Sequence, residues 1–527
     1  MGITMKNLDN TYKELSNANN KILDIAYKIT SQKNFSMILE TILLGAKELS
    51  NSDGGTLYLY NQKENTLDFK IASNDTLKIH YNSENSELNW NPLNIYNEDK
   101  SPNIKNVAVV SAMQDKLINI PDIYKSKEFD FSGAMAFDKS QNYHTKSMLV
   151  IPLKNKDDDL VGVIQLINKK VANETVNFVE HDELLIKAMA SLATMIIENN
   201  QLVIDLEALL YGLIDSVNKA LSEKSKYTQQ HNDNVAVLTK IIANGINNNK
   251  TLFEDVHYTS TDMEELRLSA MLHDIGKVTT PVHIMDKATK LETIYNRLHT
   301  IELRFELEKK DLEILFLQNA IDETTKNEKI TQLQSDFELI SKLNNGEYFA
   351  KDEEYDRVTA IAKESNYKLL TENELYNLST RKGTLTAEDR EIINNHVIVS
   401  YEMIKDLPFP KKFVDVPKIA CSHHKTINGG GYAAKEIKDL PLTLKDKILV
   451  IADIFEALSS KDRPYKKPNT LSQIFRIFTF MIKDNHVDKE LVQMFFEDGL
   501  HLEYAKEHFE ESQMEDIEED IKKFFND

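Results

Sequence analysis

The sequence predicts an α+β multidomain protein. An N-terminal domain is built on an antiparallel sheet, a long helix follows, and a second, all-α domain is interrupted by a helical hairpin. Three observations carry this reading. Strand-like apolar runs are confined to residues 28–180. From about Glu180 to Lys226, apolar residues step by three and four. Beyond His231 the pattern stays helical almost to the end, and only 15 glycines and 11 prolines punctuate 527 residues.

Residues 1–27 read as a short polar helical lead-in, with Ile22, Leu23, Ile25 and Ala26 as its apolar positions. Residues 28–180 form the sheet domain. Phe35–Ser50 is a periodic helix, and Thr56–Tyr60, Ser147–Leu153 and Leu160–Ile167 are strands. Asn155–Asp159 is a hairpin loop between the last two. Residues 181–226 form the connecting helix. Val203, Leu206, Leu210, Leu213, Val217 and Leu221 make a heptad seam on it, which fits either packing within the chain or a parallel homodimer. Residues 227–291 and 384–510 form the helical domain. Between them, 292–383 carries two apolar stripes separated near Asn327, an antiparallel hairpin arm. Residues 511–527 are acidic, yet Ile517, Ile521 and Phe524 recur at helical spacing, so this end reads as a docked helix or a solvated tail.

Composition narrows the function. Hydrophobic residues are 41% and charged residues 28%, the balance of a globular chain. A net charge of −21 argues against gripping polymeric nucleic acid, which needs a basic face. The single cysteine, Cys421, has no internal disulfide partner, and no apolar stretch is long enough for a membrane span. These features fit a cytoplasmic protein.

The chemistry is concentrated in histidines and aspartates. His273-Asp274 offers an imidazole and a carboxylate from adjacent positions. His423-His424 is a second adjacent pair. His231 and His396 stand alone on helices, the latter a type of residue that is usually ordinary. Asp453 interrupts the apolar run Ile448–Phe455, where a lone carboxylate is costly unless paired or metal-bound. Imidazole and carboxylate ligands suit iron, manganese, zinc or nickel.

The ordered set His231, His273-Asp274-Ile-Gly-Lys277, His396, His423-His424, Asn428-Gly-Gly-Gly-Tyr432, Asp453 and Arg463-Pro-Tyr465 resembles the HD-GYP phosphohydrolases. These form a branch of the HD superfamily that hydrolyses cyclic di-GMP. The resemblance implies two divalent metals, iron or manganese ahead of zinc or nickel. Asp274 would bridge them, with His231, His273 and Asp453 completing one position and His396, His423 and His424 the other. It implies catalytic roles for Asp274 and Lys277, and substrate contacts from Lys277, Arg463, Lys466 and Tyr432. The chain departs from the family at Lys425-Thr426, where a Glu-Arg pair is usual, and at Ala433, where the signature loop usually has proline. Without that proline the loop is expected to be less constrained. Tyr227 stands where some members carry a glutamate that recruits a third metal, so two are expected.

Residues 28–200 resemble a GAF domain of the kind found in cyclic-nucleotide phosphodiesterases and adenylyl cyclases. The resemblance rests on Leu117–Asp122, Thr145–Leu153, Gly162–Lys169 and the spaced set Asn168, Lys169, Phe178, Asp182 and Glu183. It implies a Lys169–Asp182 pair that stabilises the pocket without touching ligand, and a small molecule or cyclic nucleotide as ligand. The combined expectation is a sensor-regulated, dimeric phosphodiesterase that converts cyclic di-GMP to pGpG or GMP. Two alternatives stand beside it: a phosphohydrolase for another cyclic dinucleotide or phosphoester, and a non-catalytic signalling scaffold. Seven correctly ordered ligands argue against the scaffold.

Overall fold

A computed structural model describes residues 20–526 apart from 33, 86–89, 173, 225, 365–367 and 462–467. Arg463 and Lys466, most of the predicted lead-in, and the Tyr227 side chain therefore lie outside the described residues. The chain divides into two compact units, one ending at Leu210 and one beginning at Tyr211.

In the first unit, helix α1 covers residues 20–31 and α2 covers Phe35–Ser50. Among the described residues eight strands follow: β1 (Ser52–Asn61), β2 (Thr66–Asn74), β3 (Ile79–Asn82), β4 (Leu93–Asn94), β5 (Ile118–Ile120), β6 (Met148–Lys154), β7 (Leu160–Val171) and β8 (Glu174–Val176). Their order is β3-β2-β1-β7-β6-β5, with β4 on β2 and β8 on β7, and every pairing is antiparallel. The predicted loop closes the β6–β7 hairpin, where the Asn155 amide donates to the Asp159 carbonyl at 3.0 Å.

Both faces of this sheet are covered, which explains the unbroken apolar runs of β6 and β7. Alternate residues serve alternate cores. Leu57, Leu149, Ile151, Ile164 and Leu166 pack with α2 and the start of α5 (Glu180–Lys224). Tyr58, Met148, Val150 and Val163 point the other way, toward α3 (Val107–Gln114) and Phe131. On that second face lies a cavity of about 330 Å³, lined among others by Tyr58, Phe69, Trp90, Phe131, Thr145 and Gln165. Helix α4 (Ser132–Gln141) lies at its rim, contributing Gly133 and Phe137.

The seam expected on α5 divides. Val203, Leu206 and Leu213 are exposed, as are Leu202 and Leu209, whereas Ile214 and Leu221 are buried. The last turns of α5 pack within the second unit: Asn218 Nδ2 donates to the Met271 carbonyl at 3.2 Å.

The second unit is helical. Its core is assembled from α6 (Lys226–Asn248), α7 (Ser260–Leu272), α17 (Leu444–Ser459), α18 (Leu471–Lys483) and α19 (Lys489–Glu497), around residues such as Leu238, Ile242, Phe455 and Phe478. Thr259 caps α7 and Thr443 caps α17, each in a reciprocal capping box with the aspartate three residues on. Shorter helices α8 (Val282–Met285), α13 (Ala387–Asn394), α14 (His396–Ile404), α15 (Val416–Ala420), α16 (Lys435–Lys438) and α20 (Leu500–His508) fill the remainder. The acidic end does dock: Ile517, Ile521 and Phe524 join the main core, carried by α21 (Glu518–Asn526) and the residue before it.

The segment 292–383 differs from a two-helix arm. It holds α9 (Leu298–Leu317), α10 (Glu323–Asn344), α11 (Asp352–Glu364) and α12 (Glu372–Leu378). Ile301, Phe305, Ile340, Leu343, Val358, Ile361 and Leu378 form a separate hydrophobic core there. Helices α11 and α12 escape a periodicity reading because they are short and begin with acidic turns.

Among the described residues, no helix is long and apolar enough to cross a membrane.

Candidate metal centre

Five stretches of chain bring the predicted ligands together. His231 comes from the second turn of α6, and His273 and Asp274 from the end of α7. His396 opens α14, His423 and His424 follow α15, and Asp453 lies in α17. Two donor groups result, His231–His273–Asp274 and His396–His423–His424, each with ligand atoms within 4.8 Å of one another.

Asp274 stands between them, and its two oxygens are divided. Oδ2 lies 3.5 Å from His231 Nε2 and 3.3 Å from His273 Nε2. Oδ1 lies 3.2 Å from His396 Nε2 and 4.0 Å from His423 Nε2. Asp453 Oδ1 joins the first group, 3.2 Å from His231 Nε2 and 3.9 Å from His273 Nε2.

Gly276 allows this closeness. It sits in the 3₁₀ turn Ile275–Thr279 directly after Asp274. A Cβ there would lie 2.0 Å from the His396 carbonyl oxygen, so only glycine lets the turn approach α14. Ser400 then ties the two together: its Oγ accepts from the Gly276 amide at 2.9 Å and donates to the His273 carbonyl at 3.0 Å.

The tautomers follow from the partners. His273, His396 and His423 each set Nδ1 against the carbonyl three residues earlier, Ala270, Ile393 and Ala420, at 2.5–2.6 Å. A carbonyl only accepts, so Nδ1 carries the proton and the Nε2 lone pair faces the cluster. Burial pushes His423 well down and His424 down to about 4, holding both rings neutral. Burial opposes the charged forms of Asp274 and Asp453 as well. Lys277 and His273 nevertheless hold Asp274 well below the usual carboxylate range, and the His231 hydrogen bond does the same for Asp453. Imidazoles that turn Nε2 inward, set among ionised carboxylates, are a donor set that fits divalent transition metals.

One residue of this centre was not foreseen. Glu456 is buried and receives the His231 Nδ1 side, while its other oxygen accepts from Asn234 Nδ2 at 3.2 Å. Burial would lower the His231 value, but Glu456 and Asp453 outweigh it and push it up to about 9. The available signal was a second acid in the apolar run, one helical turn after Asp453.

Lys277 is mostly buried and its Nζ pairs with Asp274 Oδ2. The Tyr432 ring lies 4.6 Å from that of His424. The loop before Tyr432 is pinned despite lacking the expected proline. Gly429 and Gly431 adopt positive φ, the Tyr432 amide donates to the His424 carbonyl at 3.2 Å, and Asn428 Nδ2 donates to the Asp484 carbonyl at 2.9 Å. Lys425 is buried beneath it, its amine donating to the Ile437 and Leu440 carbonyls, so here it is a staple of the loop.

In the first unit, Lys169 Nζ lies 2.6 Å from Asp182 Oδ1 in a largely buried pair. Asp182 also accepts from the Val179 amide at 2.8 Å. Asn168 accepts from the Lys146 amide and donates to the His144 carbonyl, Glu183 accepts from Asn119, and Phe178 is buried against the sheet.

Comparison with known proteins agrees with this division. A GAF domain model matches residues 34–197, and two HD domain models match 228–367 and 370–491. The chain is 35% identical over 91 residues, 17% of its length, to a dual 3',5'-cyclic-AMP and -GMP phosphodiesterase 11A of Takifugu rubripes. It is 31% identical over 96 residues, 18% of its length, to a cyclic di-GMP phosphodiesterase of Thermotoga maritima. These matches span only 9% and 25% of the two relatives. Among solved structures, the GAF domain of an Acinetobacter phosphoenolpyruvate-protein phosphotransferase is 13% identical, with a TM-score of 0.27, over 36% of this chain and 97% of its own. An HD domain implies divalent metal binding, and the histidine–aspartate cluster is where this chain has the donors for it. The chain is thus a GAF domain followed by the HD domains that carry this cluster.

Proposed function

We propose that the protein is a metal-dependent phosphodiesterase that hydrolyses cyclic di-GMP, governed by a ligand of its GAF domain. The observation that carries this is the division of the Asp274 oxygens between two histidine groups, which provides a shared carboxylate for a pair of cations. Divalent cations bound there, iron or manganese in the first instance, supply a water-derived nucleophile at neutral pH and offset the phosphodiester's charge. His231, His273 and Asp453 would hold one cation and His396, His423 and His424 the other, with Asp274 able to serve both.

The remaining roles belong to the chain. Lys277 sits beside Asp274 with an ammonium that can take up a phosphate oxygen or protonate the leaving oxygen. Tyr432, set against His424 in the second donor group, offers a ring for a guanine. Arg463 and Lys466 are assigned to the substrate phosphates on the family resemblance. The altered loop 428–433 keeps open a second reading, in which another cyclic dinucleotide or phosphoester is the substrate.

For the GAF domain, the aromatic and polar lining of its 330 Å³ cavity supports a small-molecule or cyclic-nucleotide ligand. The exposed Leu202, Leu206, Leu209 and Leu213 on α5 support a homodimer through that helix.

The test is turnover of cyclic di-GMP, beside a panel of other cyclic dinucleotides and a simple phosphomonoester, by protein purified anaerobically and supplied with iron or manganese. Turnover that disappears in Asp274→Ala with the fold intact supports the reading. Preference for the phosphomonoester defeats it, and wild-type turnover in the variant defeats the site.

A further inference from the structure

The two donor groups differ in what stands behind their imidazoles. His396 and His423 donate Nδ1–H to peptide carbonyls, which are neutral acceptors. His231 instead meets the carboxylate of Glu456. Glu456 is 1% exposed and cannot turn to solvent. Both of its oxygens are used, one by His231 and the other by Asn234 Nδ2. A carboxylate can accept from both partners. A glutamine cannot, because its amide nitrogen only donates.

The inner donors differ in the same direction. The His231 group has Asp453 Oδ1 at 3.2 Å in addition to its oxygen of Asp274. Among the described residues, the other group has three imidazoles with the shared Asp274 in direct reach, while Asp453 acts on His423 and His424 from farther off. One position therefore has two carboxylates in direct reach with a third behind, and the other has the shared one in direct reach. An anionic acceptor behind an imidazole fixes the ring and makes it a stronger donor, an effect worth about 10–100-fold in metal affinity.

We infer that Glu456 is a positioning residue for His231 and makes the His231–His273–Asp453 position the tighter of the two, so that the His396–His423–His424 position fills last. This rests on the two-metal reading above and specifies the order in which the metals load. The protein then changes between a one-metal and a two-metal form as free metal rises.

The experiment is a titration of the metal-stripped full-length protein with Mn²⁺ under anaerobic conditions, counting free ion by electron paramagnetic resonance. Wild type should bind in two steps separated at least tenfold. His396→Ala should lose the weak step and keep the tight one. Glu456→Gln should weaken the tight step by about 10–100-fold, with Glu456→Asp recovering part of it. Asn234→Ala, which only removes the donor to Glu456, should weaken the same step less. It carries the test if Glu456→Gln does not fold by circular dichroism. Loss of the tight step in His396→Ala, an unchanged tight step in both Glu456→Gln and Asn234→Ala, or two equal steps in wild type would overturn the inference while leaving the two-metal reading intact. A wild type that binds no Mn²⁺ overturns both.

Discussion

Replacing Gly276 with alanine puts one methyl group where the Asp274 turn meets α14. That carbon would lie 2.0 Å from the His396 carbonyl oxygen, 2.6 Å from the Ser400 nitrogen and 2.8 Å from Ser400 Oγ. Side-chain carbons do not approach closer than 3.0 Å, so α14 must retreat by about 1 Å. His396 Nε2 starts 3.2 Å from Asp274 Oδ1, so the retreat opens the second donor group. His231 and Asp453 lie on other helices and keep their places. The overpacking should cost about 1–3 kcal/mol of stability. A misplacement of this size costs on the order of 100-fold in rate. Metal per chain, measured by mass spectrometry after loading, should fall from two toward one. Thermal melting should show a destabilised but folded protein. Two metals retained, with turnover near wild type, would refute the argument that this glycine sets the distance between the groups.

Three further predictions address parts away from the cluster. Lys169→Met leaves Asp182 charged and buried without its partner, so the GAF domain should lose about 3–5 kcal/mol, read as an earlier melting transition, while Lys169→Met with Asp182→Leu should recover much of it. His501 is buried against Phe495 and Phe496, and burial pushes its ring down to about 4. The unfolded chain then takes up a proton near pH 6.5 that the folded ring refuses until about pH 4. Stability is thus full above pH 6.5 and falls between those values by roughly 3 kcal/mol, and His501→Leu should flatten that part of a denaturation-against-pH curve. Lys425→Met removes the ammonium that the Ile437 and Leu440 carbonyls accept from, so it should cost about 2 kcal/mol and raise the KM for substrate through a loosened loop, measured by urea unfolding and steady-state kinetics.

Much of this was legible because the chemistry is unusual for its setting. Asp453 in an apolar helix, and histidines adjacent to an aspartate or to each other, are expensive unless they converge, and they do. Strands β6 and β7 were legible because both faces are buried. β2 carries the period-2 alternation of a strand with one polar face, Leu67, Phe69 and Ile71 alternating with Asp68 and Lys70, in a run short enough to pass for a polar loop. Glu456 went unread because an acid near the end of a helix is usually solvated, and only the fold turns it toward His231. The heptad seam was read as continuous because spacing alone cannot say where a helix stops facing a partner and begins packing on the unit that follows. Ile214 and Leu221 mark that change by burial. The four-helix character of 292–383 was hidden because its third and fourth helices rely on tertiary packing of Val358, Ile361 and Leu378 rather than on a long stripe.

In the proposed centre Asp274 serves two positions at once. The most direct test is the metal content of wild type, Asp274→Asn and Asp453→Asn after identical loading with Mn²⁺ and removal of free ion. Close to two metals per chain are expected in wild type, loss of both in Asp274→Asn, and retention of the His396–His423–His424 metal in Asp453→Asn. One metal in wild type, or two in Asp274→Asn, would contradict that shared role.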